Sequence, residues 1–193
     1  MSDGTKSNLL DVDWSELPRP VDDGAAAHLP GARLPDVTLP ATDGREVSLA
    51  ALPGCTVLYA YPMTGKPGTP LPDGWDDIPG ARGCTPQSCS FRDHHAELLA
   101  AGAAQVYGLS TQSTDYQAEA AQRLHLPFPL LSDAALRLTT AMKLPVMLVK
   151  GEMLLKRFTL IIDDGAIVHA FYPVFPPDRN APEVLAWLRD HKA

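Results

Sequence analysis

The apolar positions of this chain change their spacing several times, and each change marks an element. Residues 1–30 hold Pro18, Pro20, Gly24, Pro30 and several acidic residues with no sustained period. That is the pattern of a tail or a wrapping arm, with Trp14 and Leu17 as its docking points. Two short alternating runs, 34–39 and 46–49, flank Thr42-Asp43-Gly44 and predict a hairpin turning at Asp43-Gly44. The run 56–61 reads as a buried strand ending at Pro62. Residues 63–82 then contain too much Gly and Pro for a helix or a central strand. A stretch of that length inside a compact domain points to a lid or a binding loop.

Helical spacing resumes over residues 85–101, where Pro86 is tolerated in the first turn and Phe91, Ala96, Leu98 and Leu99 are available for burial. A strand at 105–110 follows, then a helix over 115–124 that Thr114 and Gln117 are expected to cap reciprocally. Leu130-Leu131 is a brief strand, and Ser132 or Asp133 caps a short helix running to Met142. Runs at 146–149, 153–155, 157–162 and 166–172, with turns at Lys150-Gly151 and Asp164-Gly165, predict strands joined by hairpins. Asn180-Ala181-Pro182-Glu183 opens a last helix over 184–191, whose apolar side is Val184, Leu185, Trp187 and Leu188. Strands alternating with helices and closing on antiparallel hairpins imply an α/β fold with a mixed central sheet flanked by helices. At 193 residues the chain has one core to build. The expected organisation is an arm at 1–30 and a single domain at 31–193, carrying the 63–82 stretch as an inserted loop.

Charge narrows the partners. A formal net charge of -7 without basic clusters argues against nucleic acid and anionic membranes. No run approaches the roughly 20 apolar residues of a membrane span, and residues 1–13 lack the succession of a signal peptide. A cytoplasmic protein is expected, and there thiols stay reduced. Three cysteines in such a protein are not a disulfide framework, and a close pair is catalytic, redox-sensing or metal-binding.

The close pair is Cys84 and Cys89, set where the Gly/Pro-rich loop gives way to a helix. Unpaired backbone N–H groups and the positive end of the dipole at a helix N-terminus favour a thiolate over a thiol. A second cysteine one and a half turns on is placed to capture the first once it is oxidised. The pair therefore reads as one attacking and one resolving sulfur, against the plain alternative of two small buried hydrophobes. Cys55, at the start of a core strand after Pro53-Gly54, reads as packing.

The sequence resembles the peroxiredoxins, and among them the peroxiredoxin Q or bacterioferritin comigratory type, over roughly residues 30–190. The likeness rests on Gly83-Cys84-Thr85 with a cysteine five positions on, Phe91-Arg92-Asp93, Gly108-Leu109-Ser110, Phe128-Pro129-Leu130-Leu131-Ser132-Asp133, and Arg157-Phe158-Thr159-Leu160-Ile161-Ile162-Asp163. The resemblance implies a thioredoxin-like fold with an N-terminal hairpin. It implies Cys84 as peroxidatic cysteine, Cys89 as its resolving partner, and Arg157 as the arginine that reaches the thiolate from a distant strand. It also implies a thiol-dependent reduction of hydrogen peroxide and small organic hydroperoxides, no cofactor, and recycling by a thioredoxin-like dithiol. Monomer and dimer are both compatible with it.

Chemistry fits these roles. Splitting a peroxide needs a nucleophile, a cation and hydrogen-bond donors, which Cys84, Arg157 and the loop amides of Gly83 and Cys84 would supply. Oxidation leaves a sulfenic acid that a neighbouring thiol converts to a disulfide. Residues five apart in an α-helix have Cα atoms roughly 8 Å apart, whereas a disulfide wants about 4.4 to 6.8 Å, so the first turns are expected to unwind.

One departure stands out. The family pattern sets a proline, a peroxide-binding threonine and the cysteine within eight positions. Here Pro62 supplies the proline 22 positions before Cys84, and Ala81 occupies the threonine's place. Thr64 or Thr69 from the inserted loop is expected to supply the hydroxyl, or Trp75 and its neighbours reshape the pocket for a bulkier peroxide. His94 and His95 read as helix surface rather than metal ligands, because the spacing matches no structural zinc pattern. His169 reads as half-buried, and Arg92 and Asp93 as a local pair. Two other functions compete with the peroxidase. A general thiol-disulfide oxidoreductase lacks its Cys-x-x-Cys, and a copper-handling thioredoxin-fold protein lacks a visible tether or export signal.

Overall fold

The computed structural model describes residues 12–191; the rest of the 1–30 segment and the last two residues lie outside them. Strands β1 (Thr38–Pro40) and β2 (Glu46–Ser48) form the expected hairpin, with Asp43 accepting the Arg45 amide in the turn. The central sheet is built from β3 (Cys55–Ala60), β4 (Gln105–Ser110), β5 (Leu130–Ser132), β8 (Phe158–Asp163) and β9 (Ala166–Phe171), in the order β5-β4-β3-β8-β9. β3, β4 and β5 run parallel, and β8 and β9 run antiparallel to their neighbours. Strands β6 (Val146–Val149) and β7 (Glu152–Leu155) form a separate two-stranded sheet, so the expected run of hairpins is two hairpins and not one continuous ribbon.

Side-chain alternation sorts β3 between two cores. Leu58 and Ala60 face one layer, together with Leu29, Leu39, Val47 and Leu138. Val57, Tyr59 and Tyr61 face the other, made by α1 (Cys84–Asp93), α2 (His95–Ala100) and α5 (Asn180–Asp190) through Phe91, Leu98, Val184 and Leu188. The remaining helices are α3 (Thr114–Arg123) and α4 (Arg137–Met142), the latter tied by Asp133, which accepts from the Leu138 and Thr139 amides. No helix among the described residues is long and apolar enough to cross a membrane.

Two expectations need correction. The helix over 85–101 is two helices, because His94 leaves helical geometry at ψ 4° while its ring nitrogen meets the Ser90 carbonyl at 2.8 Å. The break turns Ala96 and Leu99 outward, leaving Phe91 and Leu98 as the buried pair. The cap of α3 is Ser113, accepting from the Tyr116 amide, and not the Thr114–Gln117 pair. Gln117 is fully buried and donates to Ser110 Oγ and the Leu131 carbonyl. It ties α3 to β4 and β5.

Candidate active site

Gly83 leads into α1 at φ 107°, in the left-handed region where a side chain is strained. A Cβ there would lie 2.6 Å from Pro177 Cγ and 2.8 Å from the Trp14 ring, so the space also excludes one. Trp14 itself donates to Asp178 and packs edge-on against Phe175, seating the N-terminal segment beside the start of α1.

Cys84 follows, 4% exposed, with Sγ 3.7 Å from the Ala81 carbonyl. Arg157 approaches from the other side of the fold. It stands just ahead of β8, two positions before Thr159, and alternation puts both on the sheet face that meets α1 and α5. Its Nη2 donates to Cys84 Sγ at 3.3 Å and to the carbonyls of Gly80, Ala81 and Arg82 at 3.1 to 3.2 Å. Its Nη1 donates to Gln87 Oε1. Gln87 is three residues after Cys84 on the same helix face, and its Nε2 donates to Asn180 Oδ1 at 2.9 Å. Thr159 Oγ1 donates to that same oxygen at 2.7 Å. A buried cation is costly unless acceptors surround it. Here five acceptors, the sulfur among them, hold one guanidinium at the reacting atom.

Tyr59 and Tyr61 stand on the same face of the sheet. Burial pushes both phenols well above the ordinary range, and Cys84 is among the groups that add to it. Tyr59 donates to Ser88 Oγ of α1 at 3.0 Å and stacks on Phe91 at 4.4 Å. Cys89 is buried on the same helix, and both cysteines are free thiols. Burial raises the Cys89 thiol, with Arg92 opposing the shift.

Of the expected residues, the fold thus brings Gly83, Cys84 and Arg157 together and sets Cys89 further along α1. Pro62 is buried at the end of β3. Thr64 is buried, but its amide and hydroxyl both donate to Gln112 Oε1, at 3.0 and 3.2 Å. Thr69 is exposed and lines a different cavity with Lys66 and Asp73. Trp75 is 4% exposed and packs with Ala81, Val149 and Leu154. Ala81, in the place of the family's threonine, packs its methyl in that same apolar cluster. Gln87, Thr159 and Asn180 escaped sequence reasoning, and Gln87 alone had a signal, its i, i+3 spacing from Cys84. Cys55 is half-buried with a thiol raised by burial, and His95 packs against Phe128. His169 stacks on Trp187, and Arg92 pairs with Asp93. Among the described residues no group of three or more His, Cys, Asp or Glu is placed to hold a metal.

A buried thiol at the start of a helix, held by an arginine on the face of a mixed sheet, defines a thioredoxin-fold thiol enzyme. The profile of the Redoxin family matches residues 29–187. A Coxiella burnetii protein provisionally named peroxiredoxin bcp is 34% identical over 164 residues, spanning 82% of this chain and 97% of the relative. The crystal structure of peroxidoxin BcpB from Mycobacterium tuberculosis superposes with a TM-score of 0.69 at 27% identity, over 86% of this chain and all of that one. A Xanthomonas campestris bacterioferritin comigratory protein, studied for its alkyl peroxide reduction activity, gives 0.65 at 26%, over 85% and 96%. The chain belongs to the Redoxin family, and within it to the peroxiredoxins of the Q and bcp kind, which are thiol-dependent peroxidases.

Proposed function

We propose that Cys84 is the sulfur that attacks peroxide, Cys89 the thiol that resolves it, and Arg157 the donor that stabilises the breaking bond. The observation that carries this reading is the 3.3 Å contact between Arg157 Nη2 and Cys84 Sγ. The thiolate of Cys84 attacks one peroxide oxygen; an S–O bond forms and the O–O bond breaks. The electron pair goes to the second oxygen, which takes a proton and leaves as water or an alcohol. Charge grows on that leaving oxygen, so the guanidinium beside the sulfur favours the transition state over the ground state. The Cys84 sulfenic acid and the Cys89 thiol then condense to a disulfide and water. A thioredoxin-like dithiol restores both thiols by exchange.

Gln87, Asn180 and Thr159 act through Arg157 as positioning residues. The substrates are hydrogen peroxide and small organic hydroperoxides, the latter supported by the alkyl peroxide reduction activity of the Xanthomonas relative. The test is a Cys84→Ser variant beside the parent, each mixed with stoichiometric peroxide and then mapped by mass spectrometry. The parent should lose two thiols and gain a Cys84–Cys89 linkage while the variant stays inert. Peroxide consumption at the parent rate by the variant would end the proposal.

A further inference from the structure

The described residues ahead of position 29, where the match to the Redoxin family begins, grip two separate parts of the fold. At one end Asp23 accepts from Lys156 Nζ at 2.5 Å and from the Tyr172 hydroxyl at 2.6 Å. Lys156 stands just ahead of β8 and Tyr172 just after β9, so this end is tied to the central sheet. At the other end Trp14 lies against Gly83, where an added Cβ would meet the indole at 2.8 Å, and its Nε1 donates to Asp178 Oδ2 at 3.0 Å. Asp178 serves both sides. Its carboxylate holds the arm, and its carbonyl accepts from Ser90 Oγ of α1 at 2.7 Å. Between the two ends, Arg19 lies over the Phe175 ring at 5.6 Å and Pro20 packs over Gly80.

Closing a disulfide between Cys84 and Cys89 sets these two ends against each other. Residues five apart in a helix are roughly 8 Å apart at Cα and a disulfide wants about 4.4 to 6.8 Å, so the first turns of α1 must unwind. Gly83 and Ser90 then leave Trp14 and Asp178, while the sheet that anchors Asp23 stays where it is. A contact made in the wound form and lost in the open one biases the equilibrium toward the wound form by its own free energy. The first attack on peroxide takes place in the wound form. The arm therefore opposes the second step and spares the first.

We propose that Trp14 is a positioning residue of the resolving step: anchored through Asp23, it keeps α1 wound after Cys84 has been oxidised and lengthens the life of the sulfenic acid. A longer-lived sulfenic acid meets more peroxide. In that encounter the Cys84 sulfur attacks a second peroxide molecule; another S–O bond forms, the O–O bond breaks, and the leaving oxygen takes a proton and departs as water or an alcohol. Sulfinic acid then stands where the disulfide would have formed. The arm, an addition of this chain to its family's domain, thus sets the peroxide concentration at which turnover gives way to inactivation. The proposal rests on the reading of Cys84 and Cys89 given above.

The test is a single turnover without reductant: reduced protein is mixed with hydrogen peroxide, quenched at intervals and weighed intact by mass spectrometry, which separates sulfenic acid, disulfide and sulfinic acid. Trp14→Ala should speed disulfide formation about tenfold, the scale of one hydrogen bond and one aromatic edge contact, and should raise by the same factor the peroxide concentration that leaves half the chains as sulfinic acid. Asp23→Ala, an exposed change that leaves the indole in place, should act in the same direction. Trp14→Phe should stay nearer the parent, because a ring still covers Gly83. The rate of Cys84 oxidation should be unchanged in all three, which a general loosening of the site would not allow. An unchanged disulfide rate in Trp14→Ala or in Asp23→Ala would overturn the proposal, the second variant deciding alone where the first does not fold. A parent that consumes peroxide without forming a Cys84–Cys89 linkage would instead overturn the underlying reading, so the two failures are distinguishable.

Discussion

Replacing Arg157 by Gln separates two things the guanidinium can do. The variant loses the cation and the Nη2–Sγ contact while keeping a planar hydrogen-bonding end. Suppose the cation only helped a thiol ionise. A thiol of ordinary pKa, roughly 8.5, is about one-tenth thiolate at pH 7.5, so full ionisation gains on the order of tenfold. A donor aimed at the oxygen that leaves is worth roughly 3 kcal/mol, or about 150-fold at 1.36 kcal/mol per decade. A loss beyond tenfold, and up to about 150-fold, in the rate of Cys84 oxidation is therefore the mark of the donor.

The assay is rapid mixing of reduced enzyme with hydrogen peroxide, following thiol loss in a single turnover at pH 7.5 and again at pH 9.5. At pH 9.5 an ordinary thiol is about nine-tenths ionised without help, so a deficit of about a hundredfold that persists there belongs to the donor, and that deficit is the expected result. A variant that reaches the parent rate at pH 9.5 would refute the reasoning. The substitution also strips partners from the carbonyls of Gly80, Ala81 and Arg82 and from Gln87 Oε1. A buried acceptor that finds no replacement costs about 1 to 3 kcal/mol. Rates are thus compared at a temperature where circular dichroism shows both proteins folded.

Three further outcomes are expected. Gly83→Ala combines a left-handed φ with Cβ contacts of 2.6 and 2.8 Å, and should cost about 2 to 4 kcal/mol in denaturant unfolding; a midpoint within error of the parent would count against the packing of Trp14 and Pro177 on this residue. Oxidation to the Cys84–Cys89 disulfide should speed amide exchange over residues 84–92, because the hydrogen bond from Ser90 Oγ to the Asp178 carbonyl and the first turns of α1 must yield; unchanged protection with the linkage present would contradict this. The buried Cys89 thiol is raised in the wound helix, so the wound form holds its proton more tightly. Its stability is full below the ordinary thiol pKa and is lost as pH rises through the raised value, and disulfide formation followed by stopped flow should accelerate over that window instead of staying flat.

What the chain discloses in sequence follows from what is local. The β3 run was legible because a strand buried on both faces is apolar nearly throughout, with Thr56 its one exception, and the turns at Asp43-Gly44 and Asp164-Gly165 because their chemistry lies in two adjacent residues. The break at His94 was not, since Phe91 and Leu98 keep a helical spacing across it and only the ring contact with Ser90 marks it. Gln117 misled for a related reason, its partners Ser110 and Leu131 being set by the sheet and not by the helix. At the site, Cys84 announced itself through the loop-to-helix setting. Arg157 needed a family likeness, because 73 residues separate it from the sulfur and only strand parity brings it there. Gln87, Thr159 and Asn180 are ordinary polar residues whose burial is a property of the finished packing.

The long interval between Pro62 and Cys84 shows how the family's geometry survives its own departure. The stretch is about three times the family's, and closing a longer loop costs only about 0.6 kcal/mol per doubling, hence about 1 kcal/mol here. Burying an indole removes on the order of 150 to 250 Å² from water, an upper estimate of about 4 to 6 kcal/mol. The burial of Trp75 against Ala81, Val149 and Leu154 thus exceeds the closure cost of the added length. With the indole fixed against β6 and β7, the loop's last carbonyls at Gly80, Ala81 and Arg82 are delivered to Arg157 Nη2 whatever the path before them. The same anchoring carries Ile78 to the wall of a cavity that Pro20 and Val21 close from the other side. Ala81 lies in the same apolar cluster as that indole, so the alanine in the family threonine's place and the anchor of the inserted loop pack as one unit.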